Sequence, residues 1–272
     1  MGHMLISSRA NPAVKRIVSL QGKKYRDLYG EYLAEGEKMV SECLSAGQRV
    51  KTLVLSERML KKEESMLSLC RGERPQIVAV TDDVFAKMSG ERTPQGVLAV
   101  IAKPGTGISA PAGNCLLLDG VSDPGNVGAI IRTANAAGYE DIYLLRCADP
   151  YSPKAVRASM SGLFHVRLRE GIEEEILSAL QGIPLIAAAL DGKDLFTFVP
   201  PPVFCLVIGN EGHGISDAVR AYVADTVTIP MRATQESLNA AVSAGIAMYV
   251  LCSNACRAEK GCSRPQGIQG HI

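Results

Sequence analysis

The chain has 272 residues, with 29 basic and 28 acidic side chains and a formal charge of +1. Apolar residues make up 47% and charged residues 21%, a globular composition with enough chain to bury a core in one large domain or two modest ones. These figures exclude a wholesale basic nucleic-acid binder. The longest apolar stretch, residues 240–252, is interrupted by Ser243 and is too short for a membrane span of ~20 residues.

The opening Met1-Gly2-His3-Met4 reads as an expression remnant, so His3 enters no site, and no secretory signal is visible. Residues 1–30 carry Arg9, Lys15, Arg16, Lys23, Lys24 and Arg26 against one acid, Asp27. Such a run is most often a solvated helix face. The sharper alternative is a surface that meets phosphate, and the charges alone favour the first. Residues 31–47 have the spacing of an amphipathic helix that stops at Gly47. Residues 52–55 predict a strand, 57–69 a helix, 76–80 a strand, 81–83 the cap of a short helix, and 96–101 a strand. The first unit is therefore a small α/β domain over residues 1–103, and the Gly- and Pro-rich residues 104–113 form a linker.

Residues 115–118, 142–145, 185–189 and 204–208 are continuous apolar runs. Strands buried on both faces read this way, which predicts a parallel sheet covered by helices. A further short strand falls at 226–229. This second domain covers residues 114–255, and the polar, Gly-rich residues 256–272 predict a disordered tail. The eight cysteines are scattered, except for Cys252, Cys256 and Cys262, and no paired CxxC is present. Reduced thiols in a cytoplasmic protein and no metal are expected.

Ligands of parallel α/β sheets bind beyond the carboxyl ends of the strands. Three segments fall there. In the first, Pro124-Gly125 turns the chain, Asn126 is placed to cap a helix, and Val127, Ile130, Ile131 and Ala134 share its buried face. Arg132 lies about 140° from that stripe at ~100° per residue. It is either an ordinary exposed Arg or a guanidinium held for phosphate. The second, Ile208-Gly-Asn-Glu-Gly-His-Gly214, has three glycines in six residues and fits neither a P-loop nor GxGxxG. Glu211 needs a partner there, and His213 reads as incidental. The third is Ile229-Pro-Met231 with Ser237-Leu-Asn239, where Ser237 or Asn239 caps a small-residue helix.

In this combination and order, Asn126-Val-Gly-Ala-Ile-Ile-Arg132, Ile208-Gly-Asn-Glu-Gly212, and Ile229-Pro-Met231 with Ser237-Leu-Asn239 resemble the three motifs of the SpoU (TrmH-like) family of RNA ribose 2′-O-methyltransferases. The match runs over about residues 114–254. The first hundred residues, with Thr93-Pro-Gln-Gly96 near their end, are similar to the family's substrate-binding extension. The resemblance implies an α/β fold of SPOUT type with a C-terminal trefoil knot, which chain physics alone would not propose. It implies S-adenosylmethionine as cofactor, held by Gly209, Ile229 and Leu238 with Leu190, Ile208 and Met231. It also implies a homodimer, an RNA substrate, and Arg132, Asn126, Glu211, Ser237 and Asn239 as catalytic residues. In its light, RNA contact by Lys15, Arg16, Lys23, Lys24 and Arg26 becomes as good a reading as a solvated face. The N-terminal domain favours ribosomal RNA over tRNA. The alternatives are a tRNA methyltransferase, a catalytically silent RNA-binding protein, and a Rossmann dehydrogenase. The last lacks GxGxxG after its first buried strand.

Overall fold

The computed structural model describes residues 4–105 and 107–258, so the expected tail beyond 258, with Cys262, and His3 lie outside the described residues. In chain order the elements are α1 (Pro12–Ser19), α2 (Lys23–Tyr29), β1 (Glu31–Glu35), α3 (Glu37–Ser45), β2 (Val50–Ser56), α4 (Glu63–Leu67), β3 (Gln76–Val80), α5 (Asp82–Met88) and β4 (Val97–Ala102). There follow β5 (Cys115–Asp119), α6 (Pro124–Ala137), β6 (Asp141–Leu145), α7 (Pro153–Ser159), β7 (Arg167–Glu170), α8 (Glu173–Ala179), β8 (Leu185–Asp194), β9 (Cys205–Ile208), α9 (Asp217–Arg220), β10 (Val223–Thr228) and α10 (Ala240–Ala258). No helix among the described residues is long and apolar enough to cross a membrane.

The chain forms two compact units, and residues 149–165 belong to the first although the sequence assigns them to the second. Buried chemistry explains the difference. Asp149 receives two hydrogen bonds from Arg26, at 3.0 and 2.6 Å, and both side chains are almost fully buried. Tyr151 packs on the buried Tyr32, ring centroids 4.9 Å apart. Arg26 is therefore a correction to the RNA-contacting set. Its guanidinium also donates to the Leu20 and Gln21 carbonyls, and it is 3% exposed.

The first unit's sheet runs in the order β1-β4-β2-β3, with β2 and β3 parallel and the other pairs antiparallel. Residues 31–35, expected as the start of a helix, are instead strand β1, paired from Glu31–Ala102 to Glu35–Leu98. The pairing buries Tyr32, Leu33 and Ala34, and helix begins only after Gly36. The core under the sheet joins Val14, Ile17 and Leu20 to Val84, Phe85 and Met88. The expected helix at 57–69 is a 3-10 turn over Glu57–Lys62 followed by α4.

The second unit's sheet is six-stranded, in the order β10-β8-β9-β5-β6-β7, and every pair is parallel. One face buries Cys115, Leu117, Tyr143 and Val207 against Ile176 and Leu180 of α8 and Val219 of α9. On the other, α10 packs on β8, β9 and α6. The expected linker residues hold to this unit. Tyr143 donates to the Ser109 carbonyl at 2.6 Å, and the Ala112 N–H donates to Asp141 at 3.1 Å. The three motif segments follow the carboxyl ends of β5, β9 and β10.

Candidate active site

The helix after β5 begins three residues earlier than a cap at Asn126 would place it. Asp123, not Asn126, is the cap. Its side chain accepts from the Asn126 N–H at 2.9 Å, and Pro124 fills the first helical position, where a missing N–H costs nothing. That frees the Asn126 side chain. Its amide donates to Glu211 at 2.8 Å, while its oxygen accepts from Asn239 at 3.0 Å. Glu211 also accepts from the Ser122 N–H and hydroxyl, at 3.3 and 3.1 Å. Partial burial works to raise the Glu211 pKa. The hydrogen bonds from Asn126, the loop backbone and Ser122 outweigh it and hold the carboxyl below its ordinary value. Asn239 caps α10 as expected, accepting from the Ala241 and Val242 N–H groups at 2.9 and 3.3 Å. One directional chain of amides thus runs from Asn239 through Asn126 to a carboxylate.

Arg132 stands apart from this chain. It is exposed on α6, with no ion pair or hydrogen bond to any described residue. It lies six residues, or about 9 Å of helix rise, beyond Asn126. The expected core stripe of Val127, Ile130, Ile131 and Ala134 is fully buried, which fixes the outward direction of Arg132.

A cavity of about 390 Å³ opens beside the amide chain. Leu190, Ile208, Gly209, Ile229, Met231 and Leu238 all line it, together with Glu211 and Ser237. Its room comes from two backbone features. Strand β8 pairs with β10 as far as Ala187–Thr226, then resumes at Lys193–Val227, so residues 188–192 leave the β10 ladder, and 188–191 wall the cavity. Gly192 permits the return. Its φ is +150°, and a Cβ there would overlap the Thr226 carbonyl. Opposite, residues 210–214 form a tight loop closed by the Asn210 and Gly214 backbones at 2.8 and 3.0 Å. Gly209 lies so close under it that a Cβ would overlap Gly214 and Ile215.

Several residues that hold this loop were not legible as site residues. Asn210 donates to the Gly120 carbonyl at 2.7 Å and accepts from the Gly212 and His213 N–H groups at 2.9 and 3.0 Å. Buried Asp119, the last residue of β5, accepts from the Ser216 N–H at 2.7 Å and from Arg146 at 2.9 Å. Arg146 also donates to the Ser216 hydroxyl and to Glu173, both at 2.8 Å. These bonds hold it at φ 54°, which non-glycine residues rarely adopt. The one signal in the sequence was an Asp closing an apolar strand. Among the described residues no group of three or more His, Cys, Asp and Glu side chains could hold a metal ion.

Fold and cavity together define an α/β protein with a cavity at the carboxyl edge of a parallel sheet, where such folds bind ligands, beside a hydrogen-bonded chain of two amides and a carboxylate. Residues 113–249 match the SpoU rRNA methylase family, and residues 11–99 match the MRM3-like substrate binding domain. The chain belongs to the SpoU rRNA methylase family. It is 32% identical over 251 residues to a 23S rRNA (guanosine(2553)-2′-O)-methyltransferase of Bacillus subtilis, covering 90% of this chain and 98% of the relative. It is 31% identical to a 23S rRNA (uridine(2479)-2′-O)-methyltransferase of Streptomyces viridochromogenes, covering 88% and 92%. The AdoMet-bound crystal structure of an rRNA methyltransferase from Sinorhizobium meliloti superposes with a TM-score of 0.82 at 28% identity, covering 92% of this chain and 97% of that one.

Proposed function

We propose that this protein methylates a ribose 2′-hydroxyl of ribosomal RNA, with S-adenosylmethionine as donor. The observation that carries the reading is the meeting of six residues, Leu190, Ile208, Gly209, Ile229, Met231 and Leu238, around one cavity that also borders Glu211 and Ser237. The donor set fits the cofactor. Aliphatic side chains suit an adenosyl ring, and a loop pressed close by Gly209 offers backbone rather than side-chain polar groups. When bound, the cofactor supplies a methyl group already activated for in-line displacement.

The work left to the chain is alignment and charge. Glu211, itself fixed by Ser122, orients the Asn126 amide, and Asn126 in turn fixes Asn239. These amides and Ser237 position the ribose. Arg132, unengaged by any described residue, binds the nucleotide phosphate and stabilises negative charge on the attacking oxygen. A guanidinium with a pKa above ~12 is poorly suited to be the base. The first unit captures the RNA and the second carries out transfer in the cytoplasm. The cofactor loops belong to a C-terminal trefoil knot, and the exposed Val242 and Tyr249 of α10 support pairing of two copies. Ribosomal RNA is preferred over tRNA because relatives spanning both units carry ribosomal names.

Labelled methyl transfer to total RNA, with mapping of the alkali-resistant positions, tests the reading. The expected outcome is label in ribosomal RNA that Arg132→Ala abolishes while S-adenosylhomocysteine still raises the melting temperature. Label confined to tRNA would support the tRNA alternative. No label, with RNA binding intact, would support a silent RNA-binding protein.

A further inference from the structure

The first unit carries an exposed aromatic pair that its fold does not use. Tyr25 and Tyr29 lie one turn apart on α2 and stack at 6.3 Å with 22° between their planes. Each is 38% exposed, and Leu28 beside them is 65% exposed. Cations frame both rings. Arg16 lies over Tyr29, 4.5 Å from the centroid, and Lys24 lies 5.9 Å from that of Tyr25.

The charge around the pair is unbalanced. Glu31, almost fully buried, is shared by Arg16 and Lys51 at 2.7 and 2.8 Å. Asp27 is shared by Lys23 and Lys103 at 2.9 and 2.7 Å. With Lys24 and the exposed Lys15, which pairs with no described acid, six cations meet two carboxylates. Carboxylates that each hold two cations fix the positions of the basic groups without neutralising them.

We infer that Tyr25, Tyr29 and Leu28 form a stacking platform for an unpaired nucleotide of the RNA substrate, with Lys15, Arg16 and Lys24 on the flanking phosphates. Solvated aromatic faces interleaved with cations are the chemistry that recognises splayed bases, and paired bases cannot offer their faces to it. The inference deepens the proposed function and rests on its RNA substrate. It narrows that substrate to RNA that presents an unpaired segment.

The test is binding of the full-length protein to a twelve-nucleotide single strand of mixed sequence and to its duplex. Wild type is expected to bind the single strand more tightly. Tyr25→Ala with Tyr29→Ala should weaken single-strand binding about tenfold and leave duplex binding unchanged. The paired Tyr→Phe variants should bind as wild type. The chain contains no Trp, so Tyr29→Trp supplies one reporter, and its fluorescence should be quenched as a base stacks on it. Unchanged binding by the double Ala variant at an unaltered melting temperature would overturn the platform, as would absence of quenching. If wild type methylates RNA under those results, the platform alone has failed. If wild type methylates no RNA but binds single strands through these tyrosines, the failure lies with the methyl-transfer reading.

Discussion

Both units bury charged side chains, Arg26 and Glu31 in the first, Asp119 and Asp141 in the second. Those of the first unit are closed circuits. Arg26 is satisfied by Asp149 and two carbonyls, and Glu31 by two cations on its own surface. Asp141 of the second unit is closed in the same way, by Arg167, Arg169 and the Ala112 N–H. Asp119 differs. It lies at the carboxyl edge of the sheet and holds the Ser216 backbone, just past the loop at 210–214. At Arg26, Glu31 and Asp141 buried charge fastens the fold, and at Asp119 it fixes the segment just past a loop that borders the cavity.

The largest expected effect tests the closed circuit. Arg26→Ala leaves the buried Asp149 without its cation, with the Tyr151 N–H still donating to it, and should cost about 3–5 kcal/mol in denaturant unfolding. A loss under about 1 kcal/mol would mean that residues 149–165 are not held by this pair. Next, Arg132→Ala should lower methyl transfer about 10²–10³-fold and leave stability unchanged, as read by single-turnover rates and melting. Asp119→Asn keeps shape but weakens the anchor on Ser216. It should raise the dissociation constant for S-adenosylhomocysteine about tenfold, equivalent to about 1.4 kcal/mol, in calorimetry. Lys15→Ala and Lys24→Ala should each reduce the salt slope of single-strand RNA binding by about 0.7 and leave cofactor affinity untouched.

The smallest effect concerns pH. The Glu211 carboxyl is held below its ordinary value. The stability it contributes is therefore complete above that value and is lost only as pH falls through the depressed one. The melting-temperature difference between wild type and Glu211→Gln should stay constant from about pH 6 to 9 and shrink only in acid. A difference that changes across neutral pH would contradict the hydrogen bonds from Asn126 and Ser122.

The second unit was more legible in the sequence than the first, for a physical reason. Strands such as Cys115–Asp119 and Cys205–Ile208 are buried on both faces, so their apolar runs are continuous and independent of register. β1 has acids at both ends of a five-residue span. Only its pairing with β4, some 70 residues away, decides strand over helix. The site divides along the same line. Residues in the ordered motifs could be named: Ile208, Gly209, Glu211, Ile229, Met231, Ser237 and Leu238 border one cavity, Asn126 and Asn239 join Glu211 through hydrogen bonds, and Arg132 stands apart. Asp119, Arg146 and Asn210 anchor the site through contacts 27 to 97 residues distant, which local sequence does not reveal. The cap was misassigned because Asn126 is a good capping type, whereas Asp123 before Pro124 is the stronger signal.

The placement of residues 149–165 has a consequence in time. The first unit is interrupted, in the chain, by the first two strands of the second, so its core cannot be completed when residue 105 leaves the ribosome. Tyr32 lacks Tyr151, and Arg26 lacks Asp149, until about 45 further residues are made, roughly 2–9 s at ordinary synthesis rates. During that interval β5, α6 and β6 emerge beside an unfinished neighbour. The two units therefore mature as an interleaved pair rather than one after the other. A nascent chain stalled at residue 130 should be cut by protease within the first unit, and one stalled about 40 residues past 165, beyond the exit tunnel, should resist.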